Sequence, residues 1–294
     1  PFFQGGIIVD TTPILSAVLG AANDANFAPD DYINPDDGLL YCGKCHTPKE
    51  SYFDEAHRFE GFLKHPTECH CAAEKRKAEE VRRSELRRLE HIQQLRMEAF
   101  RDVPAALWSF DADLVWSESL KKAKRYADHW EEMQSASLGL LLFGNVGTGK
   151  SYAAGCIANA LIDRQASVLF ASASDVVNRM QGCFGDDREN YLKMLMRPDL
   201  LILDDLGAER DTSFGKERIF DVVNRRTLSG KPMIVTMNIP LSVMQNTTNL
   251  DDHRIYDRIL EVCAPVVFAG DSFRKRNAST NVKKASAILS GASE

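Results

Sequence analysis

The chain has 294 residues, 44% of them hydrophobic and 27% charged, with a formal net charge of −6. That is enough apolar material for one large domain, or a medium domain with a smaller appendage, built around a proper core. The acidic balance excludes attraction of the molecule as a whole to nucleic acid, so any such contact must come from a local basic patch.

No stretch is long and apolar enough to cross a bilayer. The apolar segment 7–22 carries Asp10, and no basic residue precedes Lys44, a pattern that does not fit a secretory leader. Residues 1–40 end in an acidic, turn-rich stretch, APDDYINPDDG. Next come Cys42, Cys45, Cys69 and Cys71, spaced C-x₂-C-x₂₃-C-x-C. Four thiolates at this spacing can close a tetrahedral zinc site, with Gly43 permitting the tight turn of the first pair, and His46, His65 or His70 can replace one cysteine. A closed four-ligand site leaves no open position for catalysis. Its role is to fold a segment too small for a core of its own, so residues 1–72 read as a small N-terminal zinc-binding module. Cys156, Cys183 and Cys263 are scattered and read as free thiols of a cytoplasmic protein.

Residues 73–104 read as a helical linker. The run AAEKRKAEEVRRSELRRLEHIQQLRMEAF has no Gly or Pro, and Val81, Leu86, Leu89, Ile92 and Leu95 recur at helical spacing. The pattern predicts a solvated helix with one narrow apolar stripe, either a connector or a docking helix. From 105 to 276, short apolar runs alternate with amphipathic helical patterns. Strands are predicted at 138–143, 167–172, 200–205, 232–238 and 264–269, with helices over KSYAAGCIANALIDRQ and SFGKERIFDVVNRRTL. Continuous apolar strands separated by helices indicate an α/β fold with a parallel sheet covered on both faces. Residues 277–294 read as a flexible tail.

The stretch GNVGTGKS follows the apolar run LGLLLF and opens a predicted helix. It fits G-x-x-x-x-G-K-[ST] in the strand–loop–helix setting that motif requires. Backbone N–H groups of Gly144, Asn145, Val146, Gly147, Thr148 and Gly149 are expected to turn around the phosphates of ATP. Lys150 is expected to meet the β and γ phosphates and Ser151 to ligate Mg²⁺. LLILDD supplies the carboxylates at a strand's carboxyl end, with Asp204 placed to hold Mg²⁺ through water and Asp205 to activate the attacking water. PMIVTMN ends in Asn238, which either senses the γ phosphate or simply terminates the strand. Arg254 and Arg258 lie four apart on one predicted helix face, where a charge pair with Asp251, Asp257 or Glu261 is the simplest role. Arg179, Arg225, Arg226, Lys275, Arg276, Lys283 and Lys284 are available to track a phosphate backbone, and Phe170 or Phe184 to stack a base.

Taken together and in order, GNVGTGKS, LLILDDLGAERDTS, PMIVTMN, HRIYDRI and DSFRKR resemble the DnaC-type AAA+ ATPases, over roughly residues 100–276. That family includes bacterial and phage helicase loaders and IstB-like transposition helpers. The resemblance implies a three-layer αβα ATPase core with little or no separate lid. It implies that Asn238 is the first sensor, that Arg258 is an arginine finger acting on a neighbouring subunit's nucleotide in a homo-oligomer, and that Arg274 is the second sensor. It also implies single-stranded DNA as a ligand and an N-terminal zinc module that contacts the replicative helicase. One departure is Asp205, where many AAA+ proteins carry the longer Glu. The expected function is an ATP-hydrolysing helicase loader. An IstB-like transposition ATPase and a non-hydrolysing zinc-dependent adaptor with a structural nucleotide are the alternatives.

Overall fold

Runs of Leu, Ile and Val bounded by turn residues form the strands of the larger part of the chain, and their periodicity decides which layer each side chain enters. The computed structural model describes residues 27–54, 63–101, 104–111, 117–183, 185–207, 212–270, 272–273, 278, 281–282, 285–286 and 288–289. The chain forms two compact units, residues 1–88 and 89–294.

In the first unit, β1 (Tyr32–Ile33) pairs antiparallel with β2 (Leu40–Tyr41), and β3 (Glu50–Tyr52) with β4 (Lys64–Pro66). Its described part buries little apolar surface: Leu40, Cys42 and Cys69. Lys49 and Asp31 form a buried ion pair at 2.6 Å. Helix α1 (His70–Phe100) follows, 31 residues long. Its exposed length is supported by pairs at helical spacing, among them Arg76 with Glu80 and Arg83 with Glu79. The predicted stripe divides along the helix: Val81, Leu86 and Leu89 are exposed, whereas Ile92 is buried.

The second unit is the expected α/β fold. Strands β5 (Gly139–Gly144), β6 (Val168–Ser172), β7 (Leu200–Leu206), β8 (Met233–Met237) and β9 (Cys263–Phe268) make one sheet in the order β6-β7-β8-β5-β9. All of its pairings are parallel. Alternate residues enter opposite layers. Leu140, Leu142, Ile202 and Ile234 join a core formed with α1, α2 (Glu118–Asp128), α3 (Trp130–Ser135) and α4 (Lys150–Ile162). Leu141, Leu201, Leu203 and Val235 join the core on the other face. There they pack with α5 (Ala173–Gln181), α6 (Asp186–Met196), α7 (Ser213–Leu228), α8 (Leu241–Gln245) and α9 (Leu250–Val262). Helix starts carry their own caps: Ser117 accepts from the Leu120 N–H, Thr212 from Gly215, and Asn249 from Asp251 and Asp252.

Candidate functional site

Strand β5 ends at Gly144 and α4 begins at Lys150, and the intervening loop depends on glycine. Gly144, Gly147 and Gly149 have φ of 136°, 82° and 96°. A Cβ at Gly144 would sit 2.1 Å from the Phe268 carbonyl oxygen, and one at Gly147 would sit 2.1 Å from Ser272 Oγ. Gly149 starts α4 with no side-chain cap, so the first-turn N–H groups are left for an outside acceptor. Thr148 Oγ1 donates to the Asn145 carbonyl at 2.8 Å, which tightens the turn beneath the exposed Val146. Lys150 is buried, and its Nζ donates to the carbonyls of Gly144 and Asn145 at 2.8 and 2.7 Å. The ammonium is thereby aimed across the loop it belongs to.

Strand order brings the carboxylates to this loop. β8 lies between β5 and β7, so residues at the end of β8 stand between the glycine loop and Asp204–Asp205. The register of β7 on β8 shifts between Leu203 and Leu206, so Asp204 and Asp205 oppose the single residue Thr236. This bulge turns Asp205 to φ 55°, a left-handed conformation that Asp tolerates better than most residues. Thr236 holds both halves of the bulge. Its hydroxyl donates to Asp204 Oδ1 at 2.6 Å and accepts the Asp205 backbone N–H at 2.9 Å. Burial pushes the Asp204 carboxyl up from its ordinary range, and the hydrogen bonds from Thr236 and Ser151 pull against that shift. Asn238 Nδ2 donates to Asp205 Oδ1 at 3.2 Å.

Thr236 was not singled out from sequence; its only signal is a hydroxyl in the middle of an apolar strand. Thr236→Val keeps the shape, but it leaves the Asp205 N–H and an Asp204 oxygen without this partner. A stability loss of about 1–3 kcal/mol is expected, with Thr236→Ser close to the parent, measured by urea titration. An unchanged midpoint in Thr236→Val would show that the bulge does not depend on the hydroxyl.

Beyond the loop lies a cleft of about 490 Å³, lined by Val146 to Tyr152, Asp205, Asn238, Ser117 and the apolar groups Trp108, Leu120, Phe268 and Phe273. Its size suits a nucleotide. The lining thus combines the loop and two strand-end polar groups, Asp205 and Asn238, with the apolar side chains of Trp108, Leu120, Phe268 and Phe273. Trp108 and Phe273 also escaped the sequence reading, because nothing local marks an aromatic residue as part of a wall. The Phe273 N–H donates to the Gly147 carbonyl at 2.9 Å, which ties the segment after β9 to the phosphate loop.

The arginines divide differently. Arg258 does not line the cleft; it sits on α9, partly exposed, with Nη1 donating to Glu261 at 2.8 Å. Arg254 stacks on the Phe220 ring at 4.2 Å. Arg274 lies outside the described residues, as do Phe184, Lys275, Arg276, Lys283 and Lys284. Two expected nucleic-acid contacts are corrected. Phe170 is 4% exposed and packs on Phe100 with ring centroids 5.9 Å apart, so it cannot stack a base. Arg226 is fully buried and donates to the carbonyls of Met196, Pro198, Asp199 and Pro232. Its guanidinium replaces missing backbone donors and cannot meet a phosphate. Arg225 remains at the surface, paired with Glu189, and Arg179 lies over the Tyr191 ring.

In the first unit, the sulfurs of Cys42, Cys45, Cys69 and Cys71 lie within 4.8 Å of one another, with Cys71 Sγ 3.6 Å from both Cys42 and Cys69. Tetrahedral sulfur ligands at about 2.3 Å from zinc are about 3.8 Å apart, so the cluster fits that ion. Its electrostatics also suit a cation. The N–H groups of Cys45 and Lys44 hold the Cys42 thiol low, and the Thr47 hydroxyl lowers Cys45 to about 5. Cys71, facing the other three, is pushed up to about 12. The histidines stay out of the cluster: His46 bonds Tyr32, His65 packs on Phe53, and His70 pairs with Glu74.

The family model for IstB-like ATP binding protein matches residues 73–281, well over half of the chain. The chain belongs to this family of ATP-binding proteins. Among its relatives is the replicative helicase loader DnaC of Escherichia coli (strain K12), 33% identical over 162 residues, covering 54% of this chain and 64% of that protein. DnaC of Buchnera aphidicola subsp. Schizaphis graminum is 32% identical over 161 residues, 53% of this chain and 63% of that protein. The chain thus spans less than two thirds of the length of these curated relatives. The crystal structure of the DnaC helicase loader aligns at 21% identity over 55% of this chain and 97% of that one, with a TM-score of 0.48. Among the described residues no helix is long and apolar enough to cross a membrane.

Proposed function

We propose that this protein is a cytoplasmic ATPase that loads a replicative DNA helicase onto single-stranded DNA. The observation that supports it most is the convergence of the glycine loop, Asp205 and Asn238 in one cleft, with Asp204 hydrogen-bonded to Ser151 just after that loop, in a chain whose relatives include DnaC helicase loaders. In this reading the N–H groups of Gly144 to Gly149 and the Lys150 ammonium bind the triphosphate, and the aromatic wall takes the base. Ser151 and Asp204 would hold Mg²⁺, which when bound would supply positive charge against the phosphate oxygens. Asp205 accepts a proton from the attacking water, oriented by its bond to Asn238. Arg258 serves the nucleotide of the adjacent subunit, and Arg274 is the second sensor of its own site. Cys42, Cys45, Cys69 and Cys71 hold a structural Zn²⁺ that shapes the helicase-docking module.

The test is a set of three measurements on the full chain. The parent is expected to bind and hydrolyse ATP, to respond to single-stranded DNA, and to form a complex with the cognate replicative helicase on size exclusion. Lys150→Ala is expected to lose most of its ATP affinity. Nucleotide binding without turnover would favour the adaptor reading. Capture of a transposase in place of the helicase would favour the transposition reading, which the IstB-like family membership supports.

A further inference from the structure

Trp108 reaches the nucleotide cleft from outside the sheet, directly after the short turn Pro104–Leu107, where its N–H donates to the Ala105 carbonyl at 3.1 Å. Three residues of α4 hold it. Gly155 gives it room, since a Cβ there would lie 2.3 Å from Trp108 Cε3. Tyr152 flanks its ring at 5.5 Å between centroids and donates its hydroxyl to the Ser109 carbonyl at 2.8 Å. Asn159, one turn beyond Gly155 and 6% exposed, donates its amide to the carbonyls of Ala105 and Trp108 at 2.8 and 2.9 Å. That single amide closes the turn at both ends.

The acceptor side of Asn159 is used as well. Arg96, in the part of α1 that belongs to the second unit, donates Nε to Asn159 Oδ1 at 3.1 Å and Nη2 to Asp163 Oδ1 at 2.5 Å. The two acceptors lie one helical turn apart, Asn159 on α4 and Asp163 at its C-cap, so the guanidinium fork clamps α1 along the end of that helix. Nearby, Ile92, Ala99 and Phe100 are buried in the same core cluster as Ala105 and α4. The Asn159 amide also donates to the Gly155 carbonyl of its own helix at 3.1 Å. This one buried group thus joins α4 to the 105–108 turn on its donor side and to Arg96 on its acceptor side, and fixes those segments relative to one another.

We infer that Arg96 and Asn159 form a latch that couples the seating of α1 to the Trp108 wall of the nucleotide cleft. Asn159 is a positioning residue for Trp108, and Arg96 for Asn159. The ligand sensed is the base of a nucleoside triphosphate, so the inference rests on the ATP reading above. A ring stacked on Trp108 holds the turn in place, the turn holds Asn159, and Asn159 presents its oxygen to α1. Linkage makes the effect reciprocal: whatever loosens α1 weakens base binding, and a bound base steadies α1.

The test compares ATP with inorganic tripolyphosphate, which offers the phosphates without the base. In Asn159→Leu, ATP affinity is expected to fall about tenfold, the scale of one lost aromatic contact, while tripolyphosphate affinity stays within about twofold. In Arg96→Met, a smaller change at a partly exposed site, ATP affinity falls about threefold, again with tripolyphosphate spared. Hydrogen exchange reads the coupling directly. ATP added to the parent is expected to slow exchange over 92–100 and 104–109, and in Arg96→Met the slowing over 92–100 is lost. Equal losses for both ligands, or no response over 92–100 in a parent that binds ATP, would overturn the latch and leave the ATP reading standing. A parent that binds tripolyphosphate and ATP equally well overturns the base wall and the latch together, and one that binds neither overturns the ATP reading as well. Should Asn159→Leu fail to fold, Arg96→Met alone decides between these outcomes.

Discussion

Replacing Cys69 with Ser is expected to remove zinc from the protein and to unfold its first unit while leaving the second intact. In the described part of residues 1–88, the buried apolar groups are Leu40 and two of the cysteines themselves. The paired strands are two or three residues long, too short to persist without a core or a cross-link. What converges there is sulfur, with Thr47 serving both halves of the cluster: its hydroxyl lies 3.1 Å from Cys45 Sγ and accepts the His70 N–H at 2.9 Å. A serine hydroxyl does not replace a thiolate as a zinc ligand, and a site with three good ligands holds the ion far less tightly. Metal analysis should give about one zinc per chain for the parent and nearly none for Cys69→Ser. Hydrogen exchange should show loss of protection at 40–52 and 64–71, with the strands of the sheet unchanged. A parent purified natively without metal, with those segments protected, would leave the cysteines as packed thiols.

The features legible in the sequence are those set by neighbours along the chain. Apolar runs bounded by turn residues marked all five strands of the sheet, and the glycine loop was readable because its phosphate-binding geometry is local. The zinc spacing likewise announced a cluster, although nothing in it told the four cysteines from His46, His65 and His70. Non-local properties were not legible. The order β6-β7-β8-β5-β9 depends on crossovers, and only that order puts Thr236 opposite the bulge formed by Asp204 and Asp205. The misreading of Arg226 has the same origin. An arginine beside Arg225 near a helix end looks like a surface charge, yet its partners are carbonyls about thirty residues upstream and six downstream. Phe170 misled for a different reason. In a strand covered on both faces, an aromatic residue has no solvent side to offer, whatever its neighbours suggest.

Arg258→Ala is expected to bind ATP nearly as the parent does and to hydrolyse it more slowly by about 10³–10⁵-fold, the range for an arginine supplied in trans. The argument begins with where the residue sits. The cleft is already furnished from one chain by the glycine loop, Lys150, Asp205 and Asn238, and Arg258 is not among its lining residues. Helix α9 is anchored against α7 by Arg254 on Phe220 and by Lys216 with Asp252 at 2.9 Å, so Arg258 cannot swing into its own site without breaking that packing. It remains partly exposed, and its partner among the described residues is Glu261, in a surface pair that a stronger anionic partner can displace. A triphosphate presented by an adjacent copy is such a partner. Mixing Arg258→Ala with Lys150→Ala then becomes decisive. Each variant alone is nearly inactive, one lacking its finger and the other its phosphate-binding ammonium. In the mixture, a Lys150→Ala subunit lends its intact Arg258 to the intact loop of an Arg258→Ala neighbour, and partial turnover returns. Should the mixture remain inactive although sedimentation shows both variants co-assembled, Arg258 does not act across a subunit boundary, and the shared-site reading fails.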